Sequence, residues 1–345
     1  MVKIKALDLR LPVALGSGLA TTLLLVSFRQ GTLPALIVAS LSPLPLMIAT
    51  LGFGHATGLG AAAIAALTFT ALMAAAFLPH NQWVDAIVTA GLSGLVFAIC
   101  LALPAWWLAR LAGLNRLDIA LPWTARRNGK SSDYYPVGLI VCQAALIGFA
   151  IVALATLIVS LGQTSFDSAA ARMAPLVVQA FSPYELPNHF DPVVLARLII
   201  RAMPPLFASL ILLVFVLNLW FAGRIVQISD RLTRPWPDIP HELRVPRLLG
   251  LVLAAACALC LLGGIAGLVA SAATAVLVIL FALQGLCVIH DLSRGAKFRG
   301  ALLCGVYVTF VLLTPWPLAV FTIIGLVEAG FSLRDRKAAA AASHN

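Results

Sequence analysis

Long apolar segments separated by short polar connections make up almost the whole chain. About 20 apolar residues are enough for a helix to cross the hydrocarbon core of a bilayer. Hydrophobic residues are 61% of the 345 residues and charged residues only 10%, against roughly 25% charged residues in soluble domains. We therefore predict an all-α, polytopic transmembrane helical bundle of about ten spans: 11–28, 32–52, 56–78, 86–109, 136–161, 198–222, 248–264, 271–290, 300–314 and 316–331.

No long polar segment divides these spans, so we predict a single transmembrane domain over 1–337 and a disordered tail over 338–345. Residues 300–331 form either one long helix or two short ones. Pro315 and Pro317 both lack a backbone donor and disfavour a continuous helix. A hairpin that turns at these prolines is the favoured interpretation, because it also keeps the basic C-terminal segment on the cytoplasmic side.

Lysine and arginine indicate the orientation, because they accumulate in cytoplasmic loops. With the N-terminus inside, the basic residues that fall on or near the outer side are Arg29, Arg172, Arg197 and Arg201. We predict that both termini are cytoplasmic and that the chain is a multi-pass protein of the bacterial inner membrane. The net charge of +10 is spread over several loops, which fits anionic lipid headgroups better than nucleic acid. The lipid bilayer is thus the expected partner.

The chain carries no motif of the standard catalytic types. G-x-S-x-G, H-E-x-x-H and Walker-type patterns are absent from the sequence, so we predict that the protein is not an enzyme. Its six cysteines lie within apolar segments, where cysteine behaves as a small hydrophobe. We therefore expect no metal site and no cofactor.

Polar residues and prolines within spans indicate where a solute could bind. An interrupted helix exposes backbone groups that bind solutes when they line a cavity. Pro43 and Pro45 predict such an interruption in the second span, and Met203-Pro204-Pro205 predict another in the sixth. We name as candidate substrate-binding residues Pro43, Pro45, Asn218, Trp220 and Glu328.

Each polar candidate also has a structural interpretation. An asparagine within a membrane helix more often bonds a neighbouring helix than a ligand. Glu328 lies near the cytoplasmic end of the last span, where it could pair with Arg334. Gly54-x-x-x-Gly58 could let two helices approach closely.

The outer side carries one further candidate. Arg197 and Arg201 lie four residues apart, on one helical face, and could form an anion-binding patch. Contact with headgroups, or pairing with Asp191 and Glu185, is the favoured alternative. The preceding loop contains a mildly amphipathic stretch at 167–181. It predicts either an interfacial helix that caps an outward cavity or a surface helix that only connects two spans.

Several short patterns resemble the YybS-like family, bacterial inner-membrane proteins of unknown function. They are Ser42-Pro43-Leu44-Pro45-Leu46 with Gly52, Asn218-Leu219-Trp220-x-x-Gly223-Arg224 running to Arg234-Pro235-Trp236-Pro237, and Glu328 followed by Phe331-x-Leu333-Arg334. The chain is more weakly similar to the solute-binding subunits of energy-coupling-factor vitamin transporters. That likeness implies a substrate pocket near the outer face and cytoplasmic ATPase partner subunits, although those subunits have about six spans.

Two function classes follow. Interrupted helices and the lack of catalytic motifs favour a transport protein or solute-binding membrane subunit for an unknown small molecule. The small number of ionisable groups within spans favours a non-transporting scaffold or regulator. We take transport as the expectation.

Overall fold

The computed structural model describes residues 6–77, 83–114, 134–161, 166–181 and 192–343. In these ranges the chain is helical between short turns, as expected where no water is available to satisfy backbone groups. The helices are α1 (Ala6–Val26), α2 (Leu33–Ser40), α3 (Pro43–Phe53), α4 (His55–Phe77), α5 (Trp83–Phe97), α6 (Leu103–Gly113), α7 (Val137–Ser160), α8 (Phe166–Phe181), α9 (Pro192–Ile228), α10 (Ile239–Glu242), α11 (Leu248–Cys260), α12 (Gly264–Leu292), α13 (Arg299–Leu313), α14 (Trp316–Phe331) and α15 (Leu333–Ser343).

Seven helical segments are long and apolar enough to cross a membrane, which confirms the predicted helical membrane protein. They are Leu9–Gln30, Leu33–Phe53, His55–Ala76, Ile87–Gly113, Val137–Ser160, Arg197–Ile228 and Gly264–Leu292. Only 17% to 44% of the apolar window of each is buried, so the rest presents apolar surface suited to lipid.

The other three predicted spans are the short apolar helices α11, α13 and α14, of 13, 15 and 16 residues. At 1.5 Å per residue they measure about 20 to 24 Å, less than the bilayer core of about 30 Å. The count of ten spans and the cytoplasmic placement of the termini therefore stay predictions.

The prolines have different effects at the three predicted interruptions. The second span is broken, because α2 ends at Ser40 and α3 begins at Pro43. The chain also turns between α13 and α14 at Thr314 and Pro315, and the rings of Phe310 and Phe321 stack across this hairpin, 5.9 Å apart.

The predicted interruption in the sixth span is wrong. α9 is one continuous helix that contains Pro204 and Pro205. Two adjacent prolines remove only two donors, and a membrane helix tolerates such a loss when the turns on both sides keep their hydrogen bonds.

By its internal contacts the chain groups into two compact units, and the single transmembrane domain over 1–337 stays a prediction. Unit 1 comprises Met1–Ile140 and Leu213–Pro237, and unit 2 comprises Val141–Leu212 and Asp238–Asn345. The sequence did not show this division, because segments that are apolar on all sides carry little information on which helices pack together. After Lys337, α15 continues to Ser343, and the alanines there are strong helix formers.

Close helix approaches hold unit 1 together. A Cβ atom on Gly18 of α1 would lie 2.8 Å from the Ala61 carbonyl oxygen of α4, and one on Gly58 would lie 2.9 Å from the Thr50 Cα of α3. Gly58 thus makes the predicted close contact, whereas Gly54 faces open space and has a φ of +96°. Gly54 therefore serves the turn between α3 and α4.

In unit 2, α12 and α14 cross in backbone contact at two glycines. A Cβ atom on Gly325 would lie 2.0 Å from the Phe281 carbonyl oxygen, and one on Gly285 would meet the Phe321 carbonyl oxygen. The fully buried Gln284 fixes this crossing, since its Nε2 donates to the Gly325 carbonyl oxygen at 2.7 Å. Its Oε1 accepts a hydrogen bond from the Val245 backbone N–H.

Gly325→Ala should destabilise the folded protein by about 1 to 3 kcal/mol, because the methyl group must push α12 away. Gly330→Ala in the same helix is the matched control, since a Cβ atom there meets nothing within 4 Å. Alanine at that position should be neutral or gain up to about 1 kcal/mol through helix propensity. Thermal unfolding of both variants in detergent measures the difference, and equal melting temperatures would contradict the packing argument.

Candidate functional site

A pocket of about 440 Å³ lies at one end of unit 1. Four stretches of chain line it: the first turns of α1, the end of α3 with the turn to α4, the end of α6, and residues 231–233 after α9. The predicted topology places all four stretches on the cytoplasmic side. We call this cavity the basic pocket.

Local backbone hydrogen bonds form the turns with which α3 and α9 end at the basic pocket. Gly54 leaves the helical conformation while its N–H still donates to the Thr50 carbonyl oxygen, at 3.2 Å. After α9, Asp230 adopts a φ of 52° and the Arg231 N–H donates back to the Val226 carbonyl oxygen at 3.1 Å. Gly54 and the residues that follow the second turn, Arg231 and Thr233, line the basic pocket.

Three guanidinium groups line the basic pocket, those of Arg10, Arg110 and Arg231. Arg110 lies over the rings of Trp106 and Trp107, 5.4 and 5.7 Å from their centroids. Arg231 lies over the ring of Phe53 at 4.5 Å. Stacking occupies the face of a guanidinium group and leaves its N–H donors, which lie in the plane, available for an anion.

Residues 234–236 hold the 231–233 stretch in place. Arg234 is 7% exposed, donates to the Ala112 carbonyl oxygen at 2.9 Å, and lies over the Tyr134 ring at 4.9 Å. Trp236 packs against α9 at Gly223, where a Cβ atom would come within 2.8 Å of the indole ring. In the structure these residues position the chain beside the basic pocket.

Asn218 lies at the interruption between α2 and α3, as the sequence indicated. Its Nδ2 donates to the Ser40 carbonyl oxygen at 2.8 Å and to the Val214 carbonyl oxygen of its own helix at 2.7 Å. Ser40 is the last residue of α2, so this bond satisfies a carbonyl that the broken helix leaves open. Pro43 is buried beside it and Pro45 is partly exposed.

Trp220, the next candidate substrate-binding residue, faces away from Asn218. Its side chain is 43% exposed and contacts Phe221 edge-on, with ring centroids 5.1 Å apart. Residues two apart on a helix are turned by about 200° from each other. Trp220 therefore faces outward from α9 while Asn218 faces the helix interruption.

Glu328 lies in unit 2, where it forms a buried ion pair with Arg334. Arg334 Nε donates to Glu328 Oε1 at 2.8 Å, and the two side chains are 0% and 3% exposed for Arg334 and Glu328 respectively. The other guanidinium donors bond carbonyl oxygens of the segment before α11: those of Pro240 at 2.6 Å, His241 at 3.1 Å and Leu243 at 2.9 Å. We call this arrangement of Glu328, Arg334 and the three carbonyls the Arg334 clamp.

Exposed ion pairs surround the Arg334 clamp. Arg244 binds both carboxylate oxygens of Asp335 at 2.7 Å, and this contact raises the pKa of Arg244 above its ordinary value. Arg294 hydrogen-bonds Asp238 in the same two-pronged way, which lowers the pKa of the Asp238 carboxyl. Each of these arginines is therefore matched by a carboxylate of its own unit.

The proposed outer patch lies at the start of α9. Arg197 and Arg201 are both exposed, and their suggested partners Asp191 and Glu185 lie outside the described residues. α8 forms the helix expected for the amphipathic stretch before them. Among the described residues, all six cysteines are free and no group of His, Cys, Asp and Glu side chains has the arrangement of a metal site.

Sequence reasoning missed the basic pocket, although one signal for it was present. Arg10, Arg110 and Arg231 come from three segments that are predicted on the cytoplasmic side. The sequence analysis used such basic residues only to predict the orientation. Which of these segments meet could not be read from the sequence, because it depends on which helices pack together. The chain matches no family model, no curated protein and no solved structure.

Glu328→Gln should destabilise the protein by about 3 to 5 kcal/mol, because Arg334 would be left as a buried charge without a carboxylate. Asp335→Asn is the control, since it removes the exposed partner of Arg244 and should cost less than about 1 kcal/mol. Thermal unfolding in detergent compares the two. A Glu328→Gln protein as stable as Asp335→Asn would show that the clamp contributes little to folding.

Proposed function

We propose that the chain is a multi-pass protein of the bacterial inner membrane that acts in transport, either as a transporter or as a solute-binding subunit, with a small anion as its solute. The observation that carries this proposal is the convergence of Arg10, Arg110 and Arg231 on one cavity of about 440 Å³. A concave site with a few converging polar groups on an otherwise apolar lining is typical of small-molecule binding. Leu9, Leu51 and Leu114 supply part of that apolar lining.

The charge balance around the basic pocket favours an anion as the ligand. None of the described residues that line it is acidic. No carboxylate among the described residues forms an ion pair with Arg10, Arg110 or Arg231. Three like charges that face one cavity repel each other, so a bound anion would relieve an unfavourable interaction.

We propose that α3, which follows the interruption of the second span, is the segment that moves during transport. α3 runs from the interruption at Ser42 to the rim of the basic pocket at Phe53 and Gly54. Helix interruptions of this kind are where membrane transporters bind and release solutes. Pro43, Pro45 and Asn218 are thus proposed to set the position of α3 and to act on the solute through it. No catalytic role is proposed for any residue.

A scaffold or regulatory protein is the second candidate, and the Arg334 clamp favours it. This buried pair uses its donors on the backbone of the chain itself and leaves a rigid surface of exposed ion pairs in unit 2. Such a surface is suited to docking a cytoplasmic partner, such as an ATPase subunit. Membership of the YybS-like family is compatible with both candidates and stays a prediction.

Purification in a mild detergent, followed by mass spectrometry of retained small molecules and proteins, tests the two candidates together. The wild type and Arg224→Gln should retain an anion that the double variant Arg110→Gln/Arg231→Gln has lost. Arg224 is the matched control, because it stacks on Trp236 at 5.2 Å but does not line the basic pocket. Equal small-molecule content in all three proteins would contradict the proposal, and a retained protein partner alone would favour the scaffold.

Topology can be tested with alkaline phosphatase, which is active only outside the cytoplasm. A fusion after Gln179 in α8 should be active, and a fusion at the C-terminus should be silent. The expected result follows from the distribution of lysine and arginine. An active C-terminal fusion would exclude the proposed cytoplasmic C-terminus and the span count that places it there.

A further inference from the structure

We propose that the group bound in the basic pocket is a phosphate that carries net negative charge, either on a small soluble ester or in a lipid headgroup. This inference rests on the proposed function and adds the class of ligand. Two observations support it. The cationic groups of the pocket are three arginines, two of which stack on aromatic rings, and the pocket lies at the ends of apolar helices.

The cationic groups are all guanidinium groups, which present planar forks of N–H donors. Such forks fit oxyanions with several acceptor oxygens, and arginine is the preferred residue for binding phosphate in two-pronged geometry. Arg110 and Arg231 stack on the rings of Trp106, Trp107 and Phe53. Their side chains are therefore oriented, while no carboxylate among the described residues takes up their donors.

Several arginines elsewhere in the chain have partners within the protein, although Arg336 also stacks on a ring, that of Phe331 at 5.7 Å. In unit 2, Arg244, Arg294 and Arg334 each bind a carboxylate of the same unit at 2.5 to 2.8 Å. In unit 1, Arg224 stacks on a ring but donates to the Gln227 side chain at 2.7 Å. Within the described part of the chain, the arginines of the basic pocket form no ion pair with a carboxylate, so an external oxyanion can bind their free donors.

The lining of the pocket indicates what accompanies the phosphate. Besides the arginines, Thr233 offers a hydroxyl group, and Leu9, Leu51 and Phe53 offer apolar surface. The first turn of α1 and the last turn of α6 end there, at the boundary where headgroups of a bilayer would lie. A phosphate joined to an organic group matches this combination better than a free inorganic ion.

Melting temperatures in detergent test the phosphate with defined probes. Inorganic phosphate and malonate are titrated at constant ionic strength into the wild type, Arg110→Gln/Arg231→Gln and Arg224→Gln. Phosphate should raise the melting temperature of the wild type and of Arg224→Gln in a saturable way, with little effect of malonate. The double variant should bind phosphate about tenfold more weakly or worse, as expected for losing hydrogen bonds to a charged group.

A second experiment, in lipid nanodiscs, distinguishes a lipid headgroup from a soluble phosphate ester. Nanodiscs of phosphatidylcholine are compared with nanodiscs that also contain phosphatidylglycerol. An increase in melting temperature that needs phosphatidylglycerol and both arginines assigns the site to a headgroup, whereas a response to inorganic phosphate alone assigns it to a soluble ester. Arg231→Gln serves if the double variant does not fold, because Arg231 is exposed and its guanidinium group stacks on Phe53 at 4.5 Å.

The remaining outcomes separate this inference from the proposed function. An equal or stronger response to malonate, with the same dependence on Arg110 and Arg231, would overturn phosphate as the ligand and leave an anion-binding pocket. No response to phosphate, malonate or phosphatidylglycerol would overturn both. A response to phosphate that is unchanged in the double variant would show that the ion binds elsewhere and would also overturn the inference.

Discussion

Backbone hydrogen bonding without water is the constraint on which this structure depends. Within a bilayer each peptide group must find its partner inside the protein, so apolar segments form helices and every helix end needs a polar neighbour. Side chains meet this need at three places. Asn218 bonds the carbonyl that ends α2, Arg234 bonds that of Ala112 near the end of α6, and Arg334 bonds three carbonyls before α11. Three of the buried polar side chains are thus explained by helix ends.

The same constraint explains what the sequence could predict. Apolar length predicts helices because a bilayer admits little else, and the seven long segments follow the predicted spans closely. The prolines near Pro43 and Pro315 mark real helix ends, whereas Pro204 and Pro205 lie inside α9. Proline removes a donor in all of these places. Whether the helix then ends depends on whether neighbouring groups can satisfy the freed carbonyls, and this tertiary information is absent from a local pattern.

The candidate site was less predictable than the fold for a related reason. Sequence reasoning searched for polar residues within spans and found Asn218 and Glu328, whose contacts in the structure are with the chain itself. The basic pocket is instead assembled at helix ends from α1, α3, α6 and the segment after α9. A residue at a helix end looks like a topology signal in the sequence. It becomes part of a site only when packing brings several ends together.

An arginine whose donors bind groups within the protein has a structural role. An arginine without such partners is a candidate for binding a ligand. Burying the guanidinium group of Arg334 costs several kcal/mol unless a carboxylate and carbonyls replace its water, and the chain supplies all of them. Arg231 is exposed and stacked, so solvent covers its donors and it needs no internal carboxylate to be tolerated. Folding therefore does not require Arg10, Arg110 and Arg231 to share one cavity, and the accumulation of arginine in cytoplasmic connections explains only their common side. Under the proposed function a ligand accounts for their convergence, because three donors at one place bind an oxyanion far better than three dispersed over the surface.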